Sequence, residues 1–232
     1  VNQDNTVEGL RQLTNLFTIY NMPKDVPSFY QQFRDGSTPI GIADFGNYNL
    51  ILNAAPEISN VWDIALMPGY ENQEGVVERW SSGGAESSIM FESSDNKQNA
   101  WEFMNWWLQS ETQKDFGTGL QTVYGKEYMW NTANLEAFQE LPWPSTDKNV
   151  ILEQSEWINE VPRVLGTYMV EREISNVYNS VVVDGKNLRK SIDLSTKRIN
   201  RETLRKLEEF GYYYDGEMIQ QYPMPVERKD QE

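Results

Sequence analysis

An apolar run, a turn and the start of a helix follow one another in Pro39-Ile40-Gly41-Ile42-Ala43-Asp44-Phe45-Gly46-Asn47-Tyr48. The segment from Ile40 to Ala43 is apolar and carries two β-branched residues, which predicts a buried strand. After Asp44 the chain turns into a helix predicted over about Tyr48 to Ala55, because the ring of Pro56 would end it. A strand that leads directly into a helix is typical of α/β folds.

Helical patterns dominate the rest of the chain. The two longest predicted helices run through Val170 to Val181 and Leu188 to Leu207, and Asp184-Gly185 joins them. Further helices are predicted over Val7 to Tyr20, over Ala100 to Leu108, and from Ser110 to a stop around Gly117-Thr118-Gly119. Further strands are predicted over Trp62 to Met67, Val76 to Trp80 and Ala85 to Phe91. The sequence therefore predicts an α/β fold that is rich in helix.

Composition limits the classes of function. The chain has 232 residues, 39% of them hydrophobic, which suits one globular unit or a large lobe of a bigger protein. It contains no cysteine and no histidine, so disulfides, thiol catalysis and Ser-His-Asp chemistry are all unavailable. We therefore predict a protein that is not an enzyme and that needs neither a cofactor nor a metal.

The charge of the chain is strongly acidic. Its formal net charge is −15, so its average field repels nucleic acid, and no nucleic-acid partner is expected. Eight basic residues nevertheless fall in one late helical segment: Lys186, Arg189, Lys190, Lys197, Arg198, Arg201, Arg205 and Lys206. We interpret them as a solvated helix face, with a patch that docks on an acidic partner as the alternative.

Several short segments occur in an order that is familiar from one family. The run that ends at Tyr48 is followed by Ala55-Pro56-Glu57-Ile58, Trp62, Met67-Pro68-Gly69, Gly83-Gly84, Ser93-Ser94-Asp95-Asn96-Lys97 and Ala100-Trp101-Glu102-Phe103. Later come Gln113, Asn131-Thr132-Ala133-Asn134, Leu141-Pro142-Trp143 and Gly166-Thr167-Tyr168 leading to Arg172. Over residues 5–209, this order resembles the carboxy-terminal half of extracellular solute-binding proteins of ABC importers, in the family that includes maltose-binding protein.

The resemblance implies a two-lobe clamp of the periplasmic-binding-protein type, which holds a small-molecule solute between its lobes and serves an ABC permease in the membrane. This chain would be the carboxy-terminal lobe, and the amino-terminal lobe would be missing. Residues 1–84 would form the α/β part of the lobe, and residues 85–145 would pack on the missing amino-terminal lobe. Residues 146–209 would complete the lobe as helices, and residues 210–232 would be a tail.

The resemblance also implies an extracellular protein on a bacterial cell surface. The first residues lack the order of a signal peptide, so an export signal and a lipid anchor are expected in the missing amino-terminal segment. Without the second lobe, apolar surface around Trp101, Trp106 and Trp107 should be exposed. Self-association of the isolated chain is therefore expected.

A first group of candidate ligand-binding residues follows the predicted strand at Ile40. Asp44, Phe45, Asn47 and Tyr48 lie where open α/β folds place their ligands. A sugar cleft needs aromatic planes for the C–H faces of the ring and polar groups for its hydroxyls, and these four residues offer both. The alternative is that Phe45 and Tyr48 simply pack the second helix.

A second group is spread over two later segments. Gly84 permits close approach of the backbone or simply a bend, and Glu86 just beyond it could accept hydroxyl protons. Tyr168 and Arg172 lie four residues apart, so on one helix they point the same way, one as a stacking plane and one as a fork of donors. The resemblance implies that the aromatic residue at Tyr168 stacks on the sugar, and the alternative is a buried tyrosine that packs helices.

Three other classes of function stay open. A binding protein for a peptide or another non-sugar solute is the first, because aromatic residues also line peptide grooves. A glycoside hydrolase is the second, with Asp44 and Glu86 as its pair of acids, although 35 acidic residues make some pair inevitable. A purely structural interaction domain is the third.

Overall fold

Residues 3–84 and 86–224 are described by the computed structural model, and they fall into two units. The first unit combines residues 3–26 with 161–224, and the second covers the described part of 27–160. Helical residues make up 53% of the structure, so the predicted excess of helix is confirmed. Within these ranges no helix is long and apolar enough to cross a membrane.

The helices in chain order are α1 (Asp4–Thr18), α2 (Phe29–Arg34), α3 (Phe45–Ala54), α4 (Lys97–Trp107), α5 (Ser110–Tyr124), α6 (Leu135–Glu140), α7 (Ser145–Ser155), α8 (Thr167–Val182) and α9 (Leu188–Glu209). Single 3-10 turns cover Pro56–Ile58 and Lys126–Tyr128. The strands are β1 (Tyr70–Glu71), β2 (Val77–Glu78), β3 (Tyr213–Tyr214) and β4 (Glu217–Met218), paired as the antiparallel hairpins β1–β2 and β3–β4.

The first unit is a helical hairpin, α8 and α9, with α1 packed against it. Its core consists of Val7 and Leu10 from α1, Val177 from α8 and Ile192 from α9. Ile192 has no exposed surface, because the apolar spacing of α9 turns one face inward. The chain between α8 and α9 contains the predicted junction at Asp184-Gly185, so both long helices and their connection are confirmed.

Gly166 fixes how α8 begins beside α9. It is the N-cap residue of α8 and has a φ of 87°, in the left-handed region that favours glycine. A Cβ atom here would lie 3.1 Å from the hydroxyl oxygen of Thr203 on α9. Glycine therefore permits both the turn and the close contact that bring the first turn of α8 against α9.

The second unit is built around aromatic side chains. The buried residues of its core cluster are Tyr48, Met129, Phe138, Leu141 and Trp143, which come from α3, α6 and the loops on either side of α6. Its helix α4 is different, because none of its residues is buried. Trp101 and Trp106 on that helix are 53% and 51% exposed.

The predicted strands are largely wrong. Ile40 to Ala43 is irregular, with Ile40 and Ile42 86% and 69% exposed, so it is not a buried strand. Trp62 to Met67 and the described residues 86–91 also lack strand structure, and the prediction over Val76 to Trp80 keeps only β2. Residue 85 lies outside the described residues. A strand exists only with a hydrogen-bonded neighbour, which local sequence patterns cannot supply.

The predicted stop of the fifth helix is also wrong. Helix α5 continues through Gly117-Thr118-Gly119 and ends at Tyr124. Gly117 is there for packing, because a Cβ atom would lie 2.6 Å from a methyl carbon of Leu141. The glycine lets α5 approach the core closely and does not end the helix.

Candidate functional site

Asp44 and Asn47 form the cap of α3. Asp44 is the N-cap residue, and its Oδ1 accepts hydrogen bonds from the backbone N–H of Asn47 at 3.0 Å and from Asn47 Nδ2 at 2.9 Å. The backbone hydrogen bond and then the side-chain hydrogen bond from Asn47 lower the pKa of Asp44. Both side chains therefore have a structural role, and a role in ligand binding stays a prediction.

Phe45 and Tyr48 lie against the indole ring of Trp143. The ring centroids are 5.2 Å and 5.4 Å from that of Trp143, and the planes of Tyr48 and Trp143 differ by only 9°. Tyr48 is buried, and its hydroxyl donates to Asp147 Oδ2 at 2.5 Å. Burial first, and then the bond to Asp147, raise the pKa of Tyr48. Both rings pack the helix to which they belong, and sugar contact by either one stays a prediction.

Gly84 and Glu86 are exposed residues of the same unit, and neither belongs to a helix or a strand. A Cβ atom at Gly84 would meet none of the described atoms within 4 Å. Space is thus open at Gly84, and the Glu86 carboxylate faces solvent. Their contact with a ligand stays a prediction.

Tyr168 lies at the head of α8 in the first unit and is 49% exposed. Its hydroxyl donates to Glu202 on α9, and Glu202 also accepts from Arg205 Nε at 2.9 Å and Arg205 Nη2 at 2.6 Å. The hydrogen bonds from Arg205 and then from Tyr168 lower the pKa of Glu202 to about 2. An aromatic plane, an ionised carboxylate and a guanidinium group therefore lie side by side. We call these three residues the Tyr168 cluster.

Arg172 is directed along its own helix. Its Nη2 lies 2.9 Å from the sulfur of Met169, and its Nε lies 3.8 Å from a carboxylate oxygen of Glu173. Tyr168 instead reaches across to α9. The two residues predicted to act as a pair thus have different neighbours, although the Arg172 side chain is 60% exposed.

Glu202 and Arg205 were not singled out by the sequence as candidate site residues. The sequence pattern places Arg205 on the solvated basic face, and it gives no signal for Glu202. The useful signal was the predicted junction at Asp184-Gly185. In an antiparallel helical hairpin, residues equally far from the junction become neighbours, and Tyr168 and Glu202 are equidistant from Gly185 along the chain.

No family model matches the sequence, and no curated protein matches it either. The family resemblance therefore depends on the order and spacing of the segments quoted above.

Proposed function

We propose that the chain is the carboxy-terminal lobe of the extracellular substrate-binding component of an ABC importer, and that it captures a carbohydrate in a cleft between two lobes. The order of short segments from Pro39 to Arg172 supports the family. The cell-surface location, the lipid anchor and the membrane permease belong to the same proposal.

The Tyr168 cluster is the observation that carries the carbohydrate assignment. A pyranose ring presents C–H groups on its faces and hydroxyl groups at its edge, so it is bound by an aromatic plane beside hydrogen-bonding side chains. Tyr168 offers a half-exposed ring, Glu202 offers acceptor oxygens, and Arg205 offers donors. These are the chemical groups that a sugar requires, placed within contact of one another.

The Tyr168 cluster belongs to the packed hairpin of α8 and α9. Helices α8 and α9 are held together through Val177, which is 1% exposed, and through the fully buried Ile192. The cluster thus lies on two packed helices, and binding would not have to order a loop. Such preorganisation lowers the entropy cost of association.

Thermal unfolding in the presence of candidate solutes tests the ligand class. We expect maltotriose or raffinose to raise the Tm of the protein that carries both lobes, and trialanine to leave it unchanged. A ligand at a hundred times its Kd stabilises the native state by about 2.7 kcal/mol, which is readily detected. If trialanine alone raised the Tm, the captured ligand would be a peptide and not a sugar. Hydrolysis of the sugar would indicate a glycoside hydrolase.

Tyr168→Ala tests the Tyr168 cluster itself. In the two-lobe protein we expect the affinity for the stabilising sugar to fall roughly tenfold to a hundredfold, because the stacking plane is lost. Tyr168→Phe should retain most of the affinity, since it keeps the ring. Isothermal titration calorimetry measures the Kd of each variant.

Tyr178→Ala is the matched control for this experiment. Tyr178 lies on the same helix but packs edge-on against Phe17, with the ring centroids 5.2 Å apart. Its truncation should lower the Tm while the Kd of the folded protein stays unchanged. An affinity unchanged within about twofold for Tyr168→Ala would remove Tyr168 from the site.

A further inference from the structure

One exposed line of side chains on α9 combines cations with leucines. Its members are Lys190, Leu194, Lys197, Arg201 and Leu204, and we call it the α9 stripe. They are spaced alternately four and three residues apart, so they form a straight row along one side of the helix. Leu194 and Leu204 are 58% and 42% exposed, although α9 has a buried face of its own. The row is roughly 21 Å long at 1.5 Å per residue.

The cations of the α9 stripe differ from the other cations on α9. Arg189, Arg198, Arg205 and Lys206 each form an ion pair with a neighbouring carboxylate. Lys190, Lys197 and Arg201 form none with the residues that the structure describes. The chain has 35 acidic residues against 20 basic ones, so ion-pair partners are abundant in the sequence. On α9, the cations without an ion-pair partner nevertheless lie together on one row.

The spacing within the row is unfavourable for an isolated helix. Lys197 and Arg201 lie at i and i+4, and like charges at this spacing destabilise a helix. Leu194 and Leu204 lie on either side of this pair, and their exposed side chains contribute no stability from burial. Both features become favourable if a surface with carboxylates and apolar groups covers the row.

The shape of the row identifies the occupant. A heptad-type row one residue wide fits a second helix, whose side chains insert between those of the first. A flat anionic membrane offers no row of side chains that could insert between those of the α9 stripe. A second copy of α9 packed antiparallel, in the register that sets Leu194 against Leu204, would also set Lys197 against Arg201, with like charges facing each other.

We propose that the α9 stripe is a docking surface for an acidic amphipathic helix of a partner protein. Carboxylates of that helix pair with Lys190, Lys197 and Arg201, and apolar side chains cover Leu194 and Leu204. The proposal is independent of the ligand that the protein captures.

A designed peptide tests the docking surface. The probe is a fluorescein-labelled helix of about three heptads, with Glu opposite the three cations and Leu opposite the two leucines. We expect the 232-residue chain to bind it at low ionic strength, by fluorescence anisotropy. The double variant Lys197→Glu with Arg201→Glu should bind it at least about tenfold more weakly. Leu194→Asn should weaken binding at least about threefold.

The matched control changes the net charge equally at another place. Lys97→Glu with Lys126→Glu alters two exposed cations of the second unit and should leave the affinity within about twofold. A second peptide with Lys in place of Glu should bind the Lys197→Glu, Arg201→Glu protein at least about tenfold better than it binds the unchanged chain. This rescue and an unchanged far-ultraviolet circular dichroism spectrum show that the variant is folded.

Three results would overturn the proposal. The first is that the unchanged chain fails to bind the acidic peptide. The second is that the α9 double variant and the control double variant lose the same affinity for the acidic peptide, because the loss would then come from the change in net charge alone. The third is binding to phosphatidylglycerol vesicles that depends on Lys197 and Arg201 while the peptide stays unbound, which would make the partner a membrane surface.

Discussion

Trp143→Ala is expected to remove about 3–5 kcal/mol from the free energy of unfolding of the second unit. Trp143 is 6% exposed, and its ring contacts Phe45, Tyr48 and Phe138, with centroids 5.0–5.4 Å apart. Its Nε1 also donates to the carbonyl oxygen of Trp130 at 3.2 Å. The substitution would leave a cavity among three rings and one unpaired carbonyl group.

Urea unfolding followed by circular dichroism measures this loss, because it does not depend on the tryptophan that is removed. Trp101→Ala makes the same chemical change in the same unit, at a side chain that is 53% exposed. Its cost should stay within about 0.5 kcal/mol. Equal losses for the two variants would show that Trp143 is not the centre of this core.

The helices were predictable because their signals are local. Apolar residues of α8 and α9 recur at three and four positions, and the side chain of Asn187 caps α9 by accepting from the backbone N–H of Lys190 at 3.0 Å. These features lie within a few residues of one another. They can therefore be recognised without knowledge of the rest of the chain.

The strands were not predictable in the same way. Ile40 to Ala43 has the composition of a strand, but that composition only favours an extended chain, and the partner must come from elsewhere. The described chain pairs no strand with this segment, and its two isoleucines stay exposed. The helix stop at Gly117 was wrong for a related reason, because the close contact with Leu141 comes from a distant part of the sequence.

Only part of the Tyr168 cluster could be predicted from the sequence. Tyr168 was predicted from the sequence. It is half exposed, which agrees with a role at the surface and not with the alternative of a buried residue that packs helices. Its neighbours Glu202 and Arg205 depend on how α8 and α9 align, which the position of the turn at Gly185 determines. The same alignment explains Glu173 and Arg198, which are nearly equidistant from Gly185 and contact each other at 3.2 Å.

Glu173→Ala is expected to cost about 3 kcal/mol of unfolding free energy in the first unit at pH 7. The residue is 1% exposed on α8, and its carboxylate accepts from Asn176 at 3.0 Å and from Arg198 at 3.2 Å. Ser195, which is buried on α9, is a further donor to it. Truncation leaves these donors without an acceptor and opens a space between the two helices. Urea unfolding measures the loss.

The same carboxylate should make the stability of the first unit depend on acid. Burial alone would raise the pKa of Glu173, but hydrogen bonds from Ser195, Arg198 and Asn176 outweigh it and hold the pKa below its usual 4.5. The stabilisation is therefore complete above about pH 4.5 and is lost as the pH falls through the folded-state pKa. The difference in unfolding free energy between the unchanged chain and Glu173→Ala should therefore narrow as the pH falls from about 4.5 through that pKa.

Glu171→Ala provides the reference for the acid dependence of Glu173. Glu171 lies two residues earlier on the same helix, and its only ion pair among the described residues is to Arg163 at 3.6 Å, with both side chains exposed. An exposed pair of this kind contributes little, because solvent screens it. Glu171→Ala should therefore keep both the stability and the acid dependence of the unchanged chain. If the gap between the unchanged chain and Glu173→Ala stayed constant from pH 7 to about pH 3, the pKa of Glu173 would be the same in the folded and unfolded states. The hydrogen bonds from Ser195, Arg198 and Asn176 would then not lower the pKa of this carboxyl.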